Sequence, residues 1–222
     1  MAKGSTDRVR ISPDLADLAS SGKLVAYFGY GSLVNRATHR TEIVHAVPAR
    51  LRGWRRIWRP RPDMPGFPAA LLSVRRDPDA ICDGLLVFDR AENLAAVDER
   101  EARYRRLPVE IEALETEEPV PSGVPVYVYE ADPDIPHHPE PPKILRSYLD
   151  AVLQGFLAEH GEDGMRRFIE ETEGFDTPLH DDRHAPLYPR AVMLNGHERS
   201  LFATALEMRV AAVTADPHPP KL

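Results

Sequence analysis

The sequence predicts a single-domain α+β protein, built as a small mixed β-barrel with short helices and an appended C-terminal helical segment. Three observations predict it. Short apolar runs bounded by glycine and proline recur from Leu24 to about Glu130; Pro133, Pro136, Pro139, Pro141 and Pro142 then interrupt the pattern; beyond them, apolar residues return at helical spacing. The barrel core is therefore expected at about residues 23–131, a proline-rich connector at 132–142, and C-terminal helices and a loop at 143–222. A chain of 222 residues is long enough to close one sizeable core and too short for two full domains.

Taken in order, Ser12-Pro13 opens a short helix through Ala19, with serine as cap and proline in the first turn, and Gly22 ends it. Leu24-Val25-Ala26-Tyr27-Phe28 reads as a buried strand feeding a tight loop, Gly29-Tyr30-Gly31-Ser32. Further strands are expected at Ala49 to Trp58, Ala69 to Val74, Gly84 to Phe88, Leu107 to Leu114 and Val124 to Glu130. Alternation is clearest in Val109-Glu110-Ile111-Glu112-Ala113, with carboxylates on one face. A short helix from about Arg90 to Arg100 has Asp89 as N-cap and Glu92 three residues on. After the connector, Ile144, Leu145, Tyr148, Val152, Phe156 and Leu157 mark one helix, and Met165, Phe168, Ile169 and Thr172 a second beyond Gly161. Asn195, with Glu198 three residues later, opens a last helix through Met208, and Pro217-His218-Pro219-Pro220 reads as a frayed tail.

Acidic residues outnumber basic ones by 35 to 28, a formal charge of −7, so a whole-surface attraction to nucleic acid or anionic lipid is not expected. No stretch approaches the roughly 18 apolar residues of a membrane span, and MAKGSTDRVR lacks the apolar core of a signal peptide; a cytoplasmic location is expected. The expected partner is a small molecule rather than nucleic acid or a membrane, with the chain acting as monomer or homodimer. Cys82 is the only cysteine, which rules out an internal disulfide or a thiolate cluster, and it sits in an apolar run as a core residue. His137-His138 and His180-Asp181-Asp182-Arg183-His184 lie among prolines that break any helix able to place two histidines on one metal, so no metal or cofactor is expected.

Two segments carry chemistry. Gly29-Tyr30-Gly31-Ser32 is by itself a turn, but backbone N–H groups unobstructed by Cβ atoms converge well on a carboxylate or a carbonyl oxygen. Asp98-Glu99-Arg100-Glu101-Ala102-Arg103-Tyr104-Arg105-Arg106 is by itself a solvated helix end. Together they resemble the γ-glutamylcyclotransferase superfamily, including its ChaC-type glutathione-degrading branch. Tyr27-Phe28-Gly29-Tyr30-Gly31-Ser32-Leu33 is similar to the family's substrate loop, and Val97-Asp98-Glu99-Arg100-Glu101 to the segment that carries its catalytic glutamate. The resemblance implies Glu101 as acid/base, Asp98 as its support or a cap, the loop from Tyr27 to Leu33 as substrate-binding, and Tyr127 or Tyr129 as the family's strand tyrosine near the site. It covers roughly Val25 to Glu130. Ala102 stands where many members carry glycine, a departure that bears on substrate fit.

The implied reaction needs no enzyme nucleophile: the α-amine of a γ-glutamyl compound attacks its own γ-carbonyl and closes 5-oxoproline. That accords with a chain lacking a Gly-x-Ser-x-Gly elbow and a plausible Cys-His pair. Two other classes fit parts of the sequence. One is a ligand-binding module that keeps the pocket without turnover. The other is a nucleic-acid binder using Arg50, Arg52, Arg55, Arg56, Arg59 and Arg61 interleaved with Trp54 and Trp58, although alternation along a strand scatters those arginines over both faces and ion pairing accounts for them. Asp181-Asp182-Arg183 and Tyr188-Pro189-Arg190 are expected to tie the C-terminal loop to the body, over the site mouth.

Overall fold

In the computed structural model, residues 13–61 and 66–215 are described. Ser12 and the tail around Pro217 lie outside them. Helix α1 (Pro13–Ser20) leads to β1 (Leu24–Gly29), whose six residues are all buried. A strand so thoroughly apolar has to be central, and it is: β1 runs antiparallel to β3 (Ala70–Arg90) on one side and, on the other, parallel to a later strand through Ala26↔Val126 and Phe28↔Val128. Between β1 and β3 comes β2 (His45–Pro60), which forms a long hairpin with β3.

A single residue decides which side chains of that hairpin face inward. Register shifts between Arg52 and Trp54, at Gly53, whose φ of +80° suits glycine. Before the shift the odd positions Val47, Ala49 and Leu51 are buried; after it the even positions Trp54, Arg56 and Trp58 are. Arg56 thereby enters the core. Its guanidinium lies over Phe156 and Phe168 and donates to the Asp83 carbonyl at 2.6 Å and to Cys82 Sγ at 3.4 Å. Burial pushes the Cys82 thiol up to about 11, so it is a core group. The neighbouring arginines meet carboxylates instead: Arg50 binds Asp83, and Arg55 binds Asp77.

Helix α2 (Leu94–Arg100), entered by a short 3₁₀ turn, precedes β4 (Tyr104–Pro108), β5 (Leu114–Thr116) and β6 (Val126–Ala131). The strand order is β4-β6-β1-β3-β2-β5, a mixed six-stranded sheet with β4 and β5 at its edges. It does not close. The barrel of the sequence expectation is thus an open sheet, curled so that Tyr104 Oη donates to the Leu72 carbonyl and Ala131 N to Ser73 Oγ. The two strands expected at Ala69 to Val74 and Gly84 to Phe88 are one continuous strand, β3, since the polar stretch between them stays in the hairpin. The strand expected from Leu107 to Leu114 is instead the end of β4, a 3₁₀ turn at Ile111–Ala113, and β5. Pro108 and the Glu110 carbonyl, which accepts from Ala113 N, turn the chain there, so the alternating carboxylates lie on a bend.

Beyond the connector, β7 (Ile144–Leu145) and α3 (Arg146–Glu171) follow, then β8 (Leu179–His180), which pairs with β7, and α4 (Gly196–Ala215). The two expected helices are one element broken at Gly161, which takes φ 68° and ψ −171°. Asn195 and Glu198 form a reciprocal cap, each backbone N–H donating to the other's side chain at 2.8 and 2.9 Å. Helix α3 seats against the loop after β1. A Cβ on Gly155 would stand 2.6 Å from Asn35 N, and Asn35 Nδ2 donates to the Ala151 carbonyl at 2.9 Å.

Candidate active site

Strand β1 ends at Gly29, where a Cβ would meet Leu33 Cβ at 2.7 Å, so only glycine lets the chain fold back this tightly. The return is a 3₁₀ turn at Ser32–Val34, closed by Val34 N to the Gly31 carbonyl at 2.9 Å and Asn35 N to the Ser32 carbonyl at 3.1 Å. Those bonds leave the Ser32 and Leu33 N–H groups at the turn's open end. The Ser32 N–H faces the Tyr148 hydroxyl, and a Cβ on Gly31 would come within 2.9 Å of that same oxygen. Thr38 Oγ1 and the His39 ring hold the turn's underside, at the Ser32 and Leu33 carbonyls.

Glu101 arrives from the opposite direction. Asp89, fully buried at the end of β3, accepts from Arg90 N and Asn93 Nδ2 at 2.7 Å each, and from Thr41 Oγ1 at 3.0 Å. That fixes the start of α2, and seven residues later the helix ends with Glu101 N still donating to the Val97 carbonyl. The Glu101 side chain is 15% exposed. It shares a cavity of about 30 Å³ with Phe28, Tyr30, Gly31, Ser32, Leu33, Leu72, Tyr104, Tyr129 and Tyr148. Loop and carboxyl group, remote in sequence, thus line one space.

Electrostatics around the carboxyl group are opposed. Burial raises its pKa above the ordinary glutamate value, while the Arg100 and Arg190 guanidiniums pull it back down. Arg100 Nε lies 3.0 Å from Glu101 Oε1, but its N–H is not aimed there and finds no hydrogen-bond acceptor. The rest of that guanidinium is anchored to the loop, donating to the Thr38 carbonyl at 3.0 Å and Ser32 Oγ at 3.2 Å. Arg100 therefore bridges α2 and the turn.

Phenols form the walls. Tyr30 Oη donates to the Tyr129 carbonyl at 2.5 Å, and Tyr129 Oη to Asp98 Oδ1 at 2.7 Å, with Arg106 on the other Asp98 oxygen at 2.5 Å. Burial holds the Tyr30 and Tyr104 hydroxyls well above the usual range, so both stay neutral. Asp98, expected as support or cap, thus steadies Tyr129 rather than touching Glu101.

Several sequence-derived candidates lie elsewhere. Tyr27 points to the other face of β1, donating to Asp89 Oδ2 at 3.3 Å, and Gly29 serves the turn without lining the cavity. Of the strand pair, Tyr129 lines the cavity and Tyr127 packs under the Arg106 guanidinium, 4.7 Å from its ring centre. Sequence reasoning missed Leu72, Arg100, Tyr104 and Tyr148 as site residues. Tyr148 was legible only as one more apolar position of α3, since nothing local says that the first turn of that helix faces the loop.

The Tyr188-Pro189-Arg190 segment does lie at the site. Tyr188 meets Tyr148 edge-on with ring centres 5.0 Å apart, and Arg190 Nε donates to Tyr188 Oη at 3.1 Å. A second, larger groove of about 690 Å³, lined by Asp14, Asp17, Glu42 and Arg90 among others, is open and shares no lining residue with the Glu101 cavity. Among the described residues, no group of three or more metal-ligating side chains converges, and no helix is long and apolar enough to cross a membrane.

A family model described as gamma-glutamyl cyclotransferase, AIG2-like, matches residues 27–147. Among solved structures, one named gamma-glutamyl cyclotransferase is similar at 14% identity and a TM-score of 0.52, the match covering 82% of this chain and 99% of that one. A human protein described as uncharacterised matches at 14% identity and 0.48, over 82% of this chain and 99% of its own. A glutathione-specific γ-glutamyl cyclotransferase from yeast matches at 16% identity and 0.42, over 88% and 100%. The first of these likenesses shows a shared fold. No curated protein sequence matches.

Proposed function

The chain belongs to the gamma-glutamyl cyclotransferase, AIG2-like family, and from that premise we propose that it releases 5-oxoproline from a γ-glutamyl compound with Glu101 as general acid and base. The observation that supports this most is a single one: a mostly buried carboxyl group, raised in pKa, lines the same small cavity as the turn after β1.

The proton steps balance around that group. Ionised Glu101 takes one proton from the substrate's α-ammonium; the freed amine attacks the γ-carbonyl carbon; the C–N bond to the departing group breaks as Glu101 returns that proton to the leaving nitrogen, and the second proton shed by the ring nitrogen passes the same way to the departing amine, which leaves as an ammonium ion. A carboxyl group with a raised pKa suits both halves, because it is a stronger base than ordinary glutamate and an adequate acid once protonated. The Ser32 and Leu33 N–H groups and the Tyr148 hydroxyl are the donors for a substrate carboxylate or the developing oxyanion. Holding the flexible glutamyl chain in its ring-closing conformation supplies much of the remaining acceleration.

A cavity of about 30 Å³ holds a water or so rather than a glutamyl unit. Substrate entry on this reading displaces the Tyr148 ring from the loop, and the substrate takes over the N–H that Tyr148 meets. The test is direct: incubate the protein with glutathione, γ-glutamyl dipeptides and γ-glutamylamines and assay 5-oxoproline. Release from one class establishes the activity and names the departing amine. Absence of release from all three, with 5-oxoproline still binding, establishes the ligand-binding module instead.

A further inference from the structure

The family match ends at residue 147, yet the cavity wall is completed by residues beyond it: Tyr148 from the first turn of α3, with Tyr188 and Arg190 behind it. The segment carrying the last two is fastened in place. Asp182 accepts from Ser147 N at 2.8 Å, from Ser147 Oγ at 2.5 Å and from Leu187 N at 2.9 Å, and is held below the usual carboxylate range by these donors despite its burial. Arg183 binds both Asp150 oxygens at 2.7 and 3.0 Å. These contacts anchor the loop to the same helical turn that presents Tyr148.

Arg190 at the end of this loop is under-used. Its Nε–H goes to Tyr188 Oη and its guanidinium lies 5.2 Å from that ring, while among the described residues no carboxylate pairs with it. Nevertheless it acts on both Arg100 and Glu101. Two guanidiniums thus surround one partly buried carboxyl group among neutral phenols. Arg100 is anchored to the loop and stands 3.0 Å from Glu101; Arg190 adds a second positive charge against a single carboxyl group, which an anion entering the site would balance.

We infer that Arg190 is a specificity-determining residue that receives a carboxylate of the substrate, with Tyr188 fixing the angle of its guanidinium. The inference rests on the proposed cyclotransferase reading only for the identity of the ligand. A γ-glutamyl amino acid carries two carboxylates, the α-carboxylate of the glutamyl unit and that of the departing residue, and either matches the guanidinium in charge and shape. A planar guanidinium held by Nε keeps both Nη groups for a paired contact, which lysine does not reproduce.

The test measures binding, so it does not depend on turnover. Titration calorimetry compares Glu101→Gln protein with the Glu101→Gln/Arg190→Gln and Glu101→Gln/Arg190→Lys variants, using γ-glutamylalanine, γ-glutamylmethylamide and 5-oxoproline. Loss of at least about tenfold in affinity for all three ligands on Arg190→Gln, only partly restored by lysine, assigns the α-carboxylate. Loss confined to γ-glutamylalanine assigns the carboxylate of the departing residue. Equal affinities with and without Arg190, or no binding of any ligand while Arg190 is intact, overturn the inference. Failure of the cyclotransferase reading shows separately, as absence of 5-oxoproline release by the unmodified protein.

Discussion

Glu101→Gln is the perturbation that bears most on the proposed chemistry. Glutamine keeps the size and shape of the side chain, so the cavity with Tyr30, Tyr104 and Tyr148 is retained, but an amide neither takes a proton from an ammonium ion nor returns one to a departing amine. General acid and base help is typically worth about 10²–10⁴-fold, so turnover should fall at least about a hundredfold, close to 2.7 kcal/mol in the barrier. Stability should change far less. Arg100 loses a charged neighbour at 3.0 Å, but that contact lacks hydrogen-bond alignment and the guanidinium keeps Ser32 and Thr38 as partners. Losing the ion also removes a burial penalty, so the two effects oppose and a net change within about 1 kcal/mol is expected. Steady-state release of 5-oxoproline, read beside a thermal melt and the affinity for 5-oxoproline, separates chemistry from folding. Turnover within about threefold of the unmodified protein, with the melt unchanged, would refute Glu101 as the proton carrier.

The pH dependence follows from the same group. Glu101 acts first as a base and its folded pKa is raised, so kcat/KM should fall on the acid side at a pH above the ordinary glutamate value of 4.5, and Arg190→Gln should move that limb higher still by removing a cation that lowers it. For stability the sign is opposite: a carboxyl group with a raised folded pKa favours the fold below its unfolded pKa and loses that contribution as pH climbs through the folded one, which a melt series in Glu101→Gln should flatten. Gly31→Val sets a side chain against Tyr148 Oη and Leu72, at 2.9 and 3.0 Å from its Cβ, so affinity for 5-oxoproline should drop at least about tenfold and the fold should lose about 1–3 kcal/mol; unchanged affinity in the folded variant would count against the loop as the binding element. Gly155→Ala drives a methyl to within 2.6 Å of Asn35 N and should cost about 1–3 kcal/mol, a melting shift of roughly 2–10 °C, by prising α3 from the turn that it supports.

Much of the architecture was legible from local rules. The apolar run of β1, the proline connector, the reciprocal cap of Asn195 and Glu198, and the glycine break at 161 each announce themselves within a few residues, because strand burial, ring-locked φ, capping and positive φ are short-range requirements. The loop and Glu101 were legible through resemblance, which joined two motifs that local reading alone assigns to a turn and a solvated helix end. The strand expected around Ile111 failed because alternation is equally what a bend with exposed carboxylates produces, and period 2 over five residues does not separate the two.

What the chain order could not convey is which distant groups meet. The parity change at Gly53 sends Arg56 into the core, though its sequence neighbours Arg55 and Arg59 carry the same charge, because a bulge reverses the faces of everything beyond it. Tyr127 and Tyr129 share a face of one strand, yet only Tyr129 lines the cavity, since the Arg106 guanidinium covers its neighbour. Tyr148 and Arg190 join the site because Asp182 ties their two segments together at Ser147. Sequence alone determines which groups are able to hold or move a proton; three-dimensional packing decides which of them do so together, because a carboxyl group acquires its charge preference from neighbours in space, wherever along the chain they lie.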